Sequence, residues 1–116
     1  MIEKAKETVV KAADKKLAFD MNLINVSQLS GLTDYFFICS GNTERQAMAI
    51  ADEIESQMKK EGIVCDKVEG YRDGNWILLD FGNLIVHVFK KETREFYSLD
   101  NLWKDAVKSD IETYLK

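Results

Sequence analysis

The clearest alternation of apolar and polar positions lies between Trp76 and Phe89. Two apolar runs, Trp76–Phe81 and Leu84–Phe89, flank Gly82-Asn83, a dipeptide typical of the two-residue turn of a β-hairpin. Because side chains alternate between the faces of a strand, this turn fixes which residues share a face. One predicted face is wholly apolar and contains Ile77, Leu79, Phe81, Leu84, Val86 and Val88. The other face contains Trp76, Leu78, Asp80, Ile85, His87 and Phe89. We expect the first face to build a core and the second to be a working surface.

The rest of the chain alternates between helical and strand-like periodicities. Apolar spacing predicts helices over residues 2–17, 43–60, 92–97 and 99–106, and a loosely held helical tail over 107–116. Thr43 and Gln46 have the spacing of a capping box, and Gly62 ends that helix. Further strands are predicted over 20–26, 35–39 and 63–68, the last two running parallel if they share a sheet. This order predicts a single α/β domain with a mixed sheet of about five strands and flanking helices.

Composition narrows the class of protein. With 116 residues, 46% of them hydrophobic and 31% charged, and without proline, the chain is expected to form one domain over residues 1–116. No run approaches the roughly 20 apolar residues of a membrane span, and no secretory pattern begins the chain, so we expect a cytoplasmic protein without membrane contact. Cys39 and Cys65 lie in apolar runs without CxxC spacing, which favours buried, reduced thiols over a disulfide or a metal site.

The charge balance bears on the partner. The formal net charge is −4 and the pI is about 5.0. The chain has no basic stripe, which argues against direct, sequence-specific binding of nucleic acid. An acidic balance favours a basic protein partner instead, because opposite charges speed encounter.

Asp80 and His87 are the first candidates for chemistry. The hairpin register places them one diagonal step apart on the same face, where an acid could orient an imidazole for acid–base catalysis. No serine, cysteine or lysine has a spacing that would complete a nucleophile arrangement. Two further interpretations stay open: a half-buried hydrogen-bonded pair, or polar specificity within an apolar binding face that also contains Trp76.

Ser40-Gly41 follows a predicted strand and precedes a helix, and so resembles the Gly-Ser turn of nucleotidyltransferases. Those enzymes also need two acidic residues that alternate on a strand and reach one Mg²⁺ ion. Asp52 and Asp80 do not meet this need. Asp52 and its neighbour Glu53 lie in a predicted helix, where adjacent side chains point about 100° apart. The second residue after Asp80 is Gly82, so we predict no catalytic or metal-binding site.

Four aromatic residues have two open interpretations. Tyr71, Trp76, Tyr97 and Trp103 fit either the core or an anchoring role at a protein interface, where tyrosine and tryptophan are enriched. Leu99 and Leu102 form an i, i+3, i+4 patch together with Trp103.

The order and spacing of several motifs resemble the ribosomal silencing factor family, also called Iojap-related. The resemblance covers most of residues 14–105. Its motifs are Asp34-Tyr35-Phe36-Phe37-Ile38 with Ser40-Gly41, Arg45-Gln46, Ala49-Ile50-Ala51-Asp52, Glu69-Gly70-Tyr71, Trp76–Asp80, Gly82, Val86-His87-Val88-Phe89, Glu92-Thr93-Arg94-Glu95-Phe96-Tyr97 and Leu99 through Leu102-Trp103.

This resemblance implies a nucleotidyltransferase-like sheet without catalysis or a cofactor. Family members bind large ribosomal subunit protein fourteen at the intersubunit face, which blocks joining of the small subunit and suppresses translation when nutrients are scarce. Several members form homodimers when free, and a homodimer is therefore also implied for this chain.

Our hypothesis is a non-enzymatic translational repressor that binds the large ribosomal subunit. The alternative is a nucleotide-binding or nucleotidyltransferase-like enzyme that uses Ser40-Gly41 and Asp80. Trp76 and Leu78 are expected to anchor the partner, and Asp80 and His87 to add polar complementarity. The complete set of expected contact residues is Tyr71, Trp76, Leu78, Asp80, His87, Tyr97, Leu99 and Trp103.

Overall fold

A computed structural model describes residues 2–28, 31–97, 101 and 103–115 of the chain. The strands are β1 (Phe19–Asn25), β2 (Tyr35–Gly41), β3 (Lys67–Glu69), β4 (Trp76–Asp80), β5 (Leu84–Lys90) and β6 (Val107–Ser109). The helices are α1 (Ile2–Lys15), α2 (Glu44–Lys60), α3 (Lys91–Tyr97) and α4 (Glu112–Leu115). The strands form one mixed sheet in the order β3-β4-β5-β2-β1-β6. The predicted single α/β domain with a mixed sheet is confirmed, with six strands instead of about five.

The predicted hairpin register is confirmed. Trp76 pairs with Phe89 and Leu78 pairs with His87, so the turn falls at Gly82-Asn83. Phe81 donates its backbone N–H to the carbonyl of Leu84 at 2.9 Å, which closes the two-residue loop. The two faces of β4 and β5 therefore divide as the alternation requires.

Helices α1 and α2 pack on the apolar face, which we call the helix-covered face. Its fully buried strand residues are Leu23, Phe37, Cys39, Ile77, Leu79, Val86 and Val88. They meet an apolar stripe of α2, formed by Ala47, Ile50, Ala51, Ile54 and Met58, and a second stripe of α1. The opposite face has a separate and smaller cluster of buried apolar residues. The long helices therefore leave uncovered the face that contains both apolar and polar side chains.

Local signals define both ends of α2. The Thr43 hydroxyl accepts from the backbone N–H of Gln46 at 3.1 Å, which confirms the predicted N-cap. At the other end Gly62 has a φ of 79°, and the backbone N–H groups of Gly62 and Ile63 donate to the carbonyls of Lys59 and Met58. This is the Schellman arrangement that glycine permits without steric cost.

The strands before and after α2, β2 and β3, are parallel as predicted, but they are not neighbours in the sheet. Strands β4 and β5 lie between them. The parallel neighbour of β2 is β5, with Tyr35 opposite Leu84 and Gly41 opposite Lys90. β2 is thus a central strand, as predicted, and its ends lie beside the ends of β5.

The predicted helical tail is wrong at its start. Val107–Ser109 is a strand that pairs antiparallel with β1, and only Glu112–Leu115 is helical. Helix α4 contacts α1, where the Tyr114 hydroxyl donates to the Glu3 carboxylate at 3.2 Å. Part of the helix predicted over 99–106 lies outside the described residues. Among the helices of the described ranges, none has the length and apolar character needed to cross a lipid bilayer.

Candidate functional site

Six aromatic rings meet on the open side of the sheet, and we call this surface the aromatic face. Trp76 stacks on Phe89 with ring centroids 4.9 Å apart and lies 5.1 Å from Tyr97. Phe36 makes edge contacts with His87 at 4.7 Å and with Trp103 at 5.0 Å. The aromatic face therefore consists of Phe36, Trp76, His87, Phe89, Tyr97 and Trp103, which come from β2, β4, β5, α3 and the segment before β6.

A hydrogen bond between side chains fixes the centre of the aromatic face. The indole Nε1–H of Trp76 donates to Nδ1 of His87 at 3.0 Å. Because an indole nitrogen can only donate, the imidazole must accept at Nδ1, and the neutral ring then carries its proton on Nε2. That Nε2 atom is buried and has no hydrogen-bond partner among the described residues, and the same holds for Nε1 of Trp103.

His87 is neutral because of its surroundings. Only 5% of its surface is exposed, and burial lowers its pKa from 6.5 to about 4. A buried imidazole loses hydration when charged, which favours the neutral form. The neutral form is also the only one that can accept from Trp76. His87 is therefore the buried member of the aromatic face, and it holds the Trp76 indole in place.

The expected pair of Asp80 and His87 does not form. The Asp80 carboxylate accepts from the backbone N–H of Gly82 at 2.8 Å, so it stabilises the hairpin turn. The imidazole of His87 is bonded to Trp76 instead. Both the acid–base interpretation and the interpretation as a hydrogen-bonded pair are therefore wrong for this conformation.

The accessible part of the aromatic face lies along β4 and the end of α3. Trp76, Leu78 and Asp80 are half-buried, each exposing an edge to solvent. Tyr97 is 55% exposed and its neighbour Phe96 is 81% exposed. Phe96 is not among the predicted contact residues, and its only signal in the sequence is its position beside Tyr97 at the end of a mostly charged stretch.

The structure brings together some of the expected contact residues and separates others. Trp76, His87, Tyr97 and Trp103 share the aromatic face, and Leu78 lies on the same side of β4. The Tyr71 side chain is directed toward α2, where its hydroxyl donates to the Asp52 carboxylate at 3.1 Å. Leu99 lies outside the described residues.

Arg94 is a buried residue that sequence analysis missed. Its guanidinium donates through Nη1 to the Asp20 carbonyl and to the Ser40 hydroxyl, at 2.6 Å and 2.9 Å. Asp20 has a φ of 50° at an irregularity in the β1–β2 pairing, which directs its carbonyl away from the ladder. Arg94 thereby ties α3 to the ends of β1 and β2.

The cysteines and acidic residues of the described ranges form neither a disulfide nor a metal-binding group. Both cysteines are free; Cys39 is buried and Cys65 is half-buried. Burial raises the pKa of the Cys39 thiol to about 12, so this thiol stays protonated and unreactive. Within the described ranges, no three His, Cys, Asp or Glu side chains are grouped so that they could hold a metal ion.

Comparisons with known proteins agree on one family. A family model described as "Ribosomal silencing factor during starvation" matches residues 1–116. The chain is 42% identical over 101 residues to the ribosomal silencing factor RsfS of Bacillus subtilis, covering 87% of this chain and 86% of that protein. It is 35% identical over 89 residues to the Mus musculus protein named "Mitochondrial assembly of ribosomal large subunit protein 1", covering 74% of this chain and 39% of that protein. A crystal structure of a Bacillus halodurans protein superposes with a TM-score of 0.83 at 35% identity, covering 93% of this chain and 98% of that chain.

Proposed function

The chain belongs to the ribosomal silencing factor family, a family named for regulation of translation at the ribosome, and on that premise we propose that its aromatic face docks on the large ribosomal subunit. The proposed partner is large ribosomal subunit protein fourteen, and the proposed effect is to block association with the small subunit. The family resemblance of the sequence supports this choice of partner. The name of the mouse relative, which refers to the ribosomal large subunit, supports the choice of subunit.

One observation carries the proposal: the two faces of the sheet are covered unequally. Helices α1 and α2 cover the helix-covered face and bury its central residues, whereas Trp76, Leu78 and Tyr97 remain accessible on the other side. Tryptophan and tyrosine that are held in place but partly exposed are the usual anchors of protein interfaces. A standard interface buries about 800 Å² on each partner, an area that β4, β5 and the end of α3 can supply together.

The charge of the chain also supports a basic partner. The net charge of −4 favours approach to a positively charged surface and would repel free nucleic acid. Asp80 lies on the rim of the accessible strip, where its carboxylate already accepts from Gly82 and keeps further acceptor capacity. We propose that it contributes to encounter and orientation more than to affinity.

The test begins with comigration. The purified protein is mixed with large subunits and sedimented through a sucrose gradient, and joining with small subunits is then followed by light scattering. We expect comigration with the large subunit and a slower, less complete rise in scattering. Comigration without any effect on joining would contradict the proposed blocking, and the absence of comigration would contradict the docking itself.

Trp76→Ala tests the anchor. We expect the variant to fold, because the residue lies at the surface of a core built mainly on the other face, and to bind the large subunit at least ~2 kcal/mol more weakly. Circular dichroism and the gradient measure the two effects. A variant that unfolds would make Trp76 a core residue, and a folded variant with unchanged binding would remove it from the interface.

Two tyrosines provide a matched pair. Tyr97 contacts Trp76, whereas Tyr71 bonds to Asp52 of α2, and both are exposed. We expect Tyr97→Ala to weaken binding to the large subunit and Tyr71→Ala to leave it unchanged. Equal losses in both variants would show that the interface continues around the edge of the sheet to Tyr71.

The enzyme alternative and the homodimer are tested separately. The relatives are named as silencing factors, and we propose that this chain regulates without catalysis. Incubation with nucleoside triphosphates and Mg²⁺ should then release neither phosphate nor pyrophosphate. We also propose, from the family resemblance, that free chains pair, and sedimentation velocity over a range of concentrations would show a single monomeric species if they do not.

A further inference from the structure

A cleft of about 670 Å³ lies beside the aromatic face but is distinct from it. Its volume is within the range of small-molecule sites, roughly 300–1,000 Å³. We call it the β2-end cleft, and its lining residues are Asp20, Met21, Asn22, Ser40, Lys91, Arg94, Glu95, Asn101 and Lys108. None of these residues is among the expected contacts with the ribosome, so the cleft has no role in the proposed function.

The position of the cleft in the fold is that of a ligand site. Strands β2 and β5 are parallel neighbours, and their carboxyl ends reach the cleft at Ser40 and Lys91. The chain leaves β2 for α2 on the helix-covered face and leaves β5 for α3 on the opposite side, where Tyr97 contacts Trp76. In open α/β sheets, ligands bind where adjacent strands send their connections to opposite faces.

The charges in the cleft differ from those of the whole chain. Three cationic side chains, Lys91, Arg94 and Lys108, line it together with two carboxylates, Asp20 and Glu95. This local excess of positive charge stands in a protein whose net charge is −4. Cationic side chains and neutral amides in one cleft supply the donors that a phosphate group needs.

Hydrogen bonds already orient part of the lining. The buried Arg94 side chain is fixed by the Asp20 carbonyl and the Ser40 hydroxyl. Because the Ser40 oxygen accepts from Arg94, its own hydrogen is left to donate to another acceptor. Two groups that line the cleft, the Arg94 guanidinium and the Ser40 hydroxyl, are thus held in place by hydrogen bonds.

From this arrangement we propose that the β2-end cleft binds a small phosphorylated sugar compound of mononucleotide size. The phosphate lies toward Lys91, Lys108 and the Ser40 hydroxyl. The Asp20 carboxylate accepts from sugar hydroxyls, which accounts for acidic residues in a cleft of net positive charge. No bond of the ligand is made or broken.

The first experiment maps binding on the free protein and does not involve the ribosome. Amide ¹H–¹⁵N spectra are recorded while AMP, ribose 5-phosphate or inorganic phosphate is added, with sodium chloride at matched ionic strength and adenosine as references. We expect saturable shifts at Asn22, Ser40, Lys91 and Arg94 with the phosphorylated compounds, and smaller shifts with adenosine. Shifts that are absent, or equal for adenosine and AMP, would overturn the proposal.

Two charge-matched double variants provide the control. Lys91→Gln with Lys108→Gln removes two cations from the cleft, and Lys59→Gln with Lys60→Gln removes two exposed cations from the end of α2. We expect the first pair to weaken AMP binding by about tenfold or more and the second to leave it unchanged, since tenfold corresponds to about 1.4 kcal/mol, close to the loss of one charge-assisted hydrogen bond. Equal weakening by both pairs would show general charge attraction and overturn the site. If the variant with Lys91→Gln and Lys108→Gln does not fold, the chemical-shift map of the unmodified protein decides whether the cleft binds AMP.

Discussion

The buried histidine makes the stability of this protein depend on pH in a defined direction. His87 is neutral in the folded state because burial lowers its pKa from 6.5 to about 4. Between these two values the unfolded chain binds a proton that the folded chain does not. Stability should therefore be fully present above about pH 6.5 and should fall as the pH drops toward 4.

The size of the effect follows from the two pKa values. With 6.5 for the unfolded state and about 4 for the folded state, the linkage relation gives a loss of roughly 2 kcal/mol between about pH 7.5 and about pH 5. The loss approaches roughly 3 kcal/mol below both values, because each pKa unit corresponds to about 1.4 kcal/mol. The free energy of unfolding of small domains is about 5–15 kcal/mol, so this loss is a substantial fraction of it.

The assay compares the protein with His87→Gln, which keeps an acceptor for the Trp76 indole but does not titrate. Urea unfolding at several pH values should show the loss in the unmodified protein and a smaller one in the variant. Other carboxylates have a lowered pKa and also destabilise the fold at low pH: Glu44 through a backbone hydrogen bond, and Glu3, Glu7 and Glu53 through lysine or glutamine neighbours. They are common to both proteins and cancel.

Nuclear magnetic resonance gives a direct check, because the chain has a single histidine and hence one set of imidazole signals. A midpoint near 6.5 in the folded protein would refute the reasoning. So would equal pH dependence of the free energy of unfolding in both proteins.

Substitutions at three further positions test the local contacts that hold the fold together. Gly70→Ala should destabilise by about 2 kcal/mol or more, because Gly70 has a φ of 76° and a Cβ atom there would collide with the Trp76 carbonyl; an unchanged melting temperature would contradict this. Thr43→Ala should cost about 1 kcal/mol through loss of the α2 N-cap, and Thr43→Ser should restore it in urea unfolding. Trp103→Phe should change the free energy of unfolding by less than about 1 kcal/mol, since it keeps a ring against Phe36 and removes a buried N–H that has no partner among the described residues. Trp103→Ala should cost about 3 kcal/mol, and equal losses would show that the indole N–H is bonded.

The hairpin was predictable because its information is local. A two-residue turn and strict alternation determine the register from 76 to 89 without knowledge of the rest of the chain. The helix ends at Thr43 and Gly62 were predictable for the same reason, since caps depend on adjacent residues.

The tail was mispredicted because its spacing favours the wrong structure. Val107, Ile111 and Leu115 recur every four residues, as on one face of a helix. A three-residue strand has no periodicity of its own, and β6 exists only because the edge of β1 offers hydrogen bonds. The pairing of β6 with β1 joins residues that are far apart in the sequence, so no local sequence pattern could have predicted it.

The predictions for the site were wrong where burial determines which hydrogen bonds a side chain makes. Asp80 and His87 do share a face, but the Gly82 backbone lies nearer to the carboxylate in sequence and takes its hydrogen bond. Four of the five residues in Lys91–Glu95, including Arg94, are charged, which is typical of a solvated helix. It is buried because a strand irregularity at Asp20 leaves a carbonyl that needs a donor.

The neutral histidine and the accessible tryptophan depend on the same hydrogen bond. Only an uncharged imidazole has a lone pair at Nδ1 for the Trp76 indole, so the burial that destabilises the charged form of His87 also holds the anchor in one orientation. With Phe89 stacked behind it and Tyr97 beside it, the indole has little side-chain freedom left to lose when a partner arrives. Immobilising a flexible side chain on binding costs about 0.5–1.5 kcal/mol. Folding therefore meets that cost before any binding, which supports the docking proposed for this face.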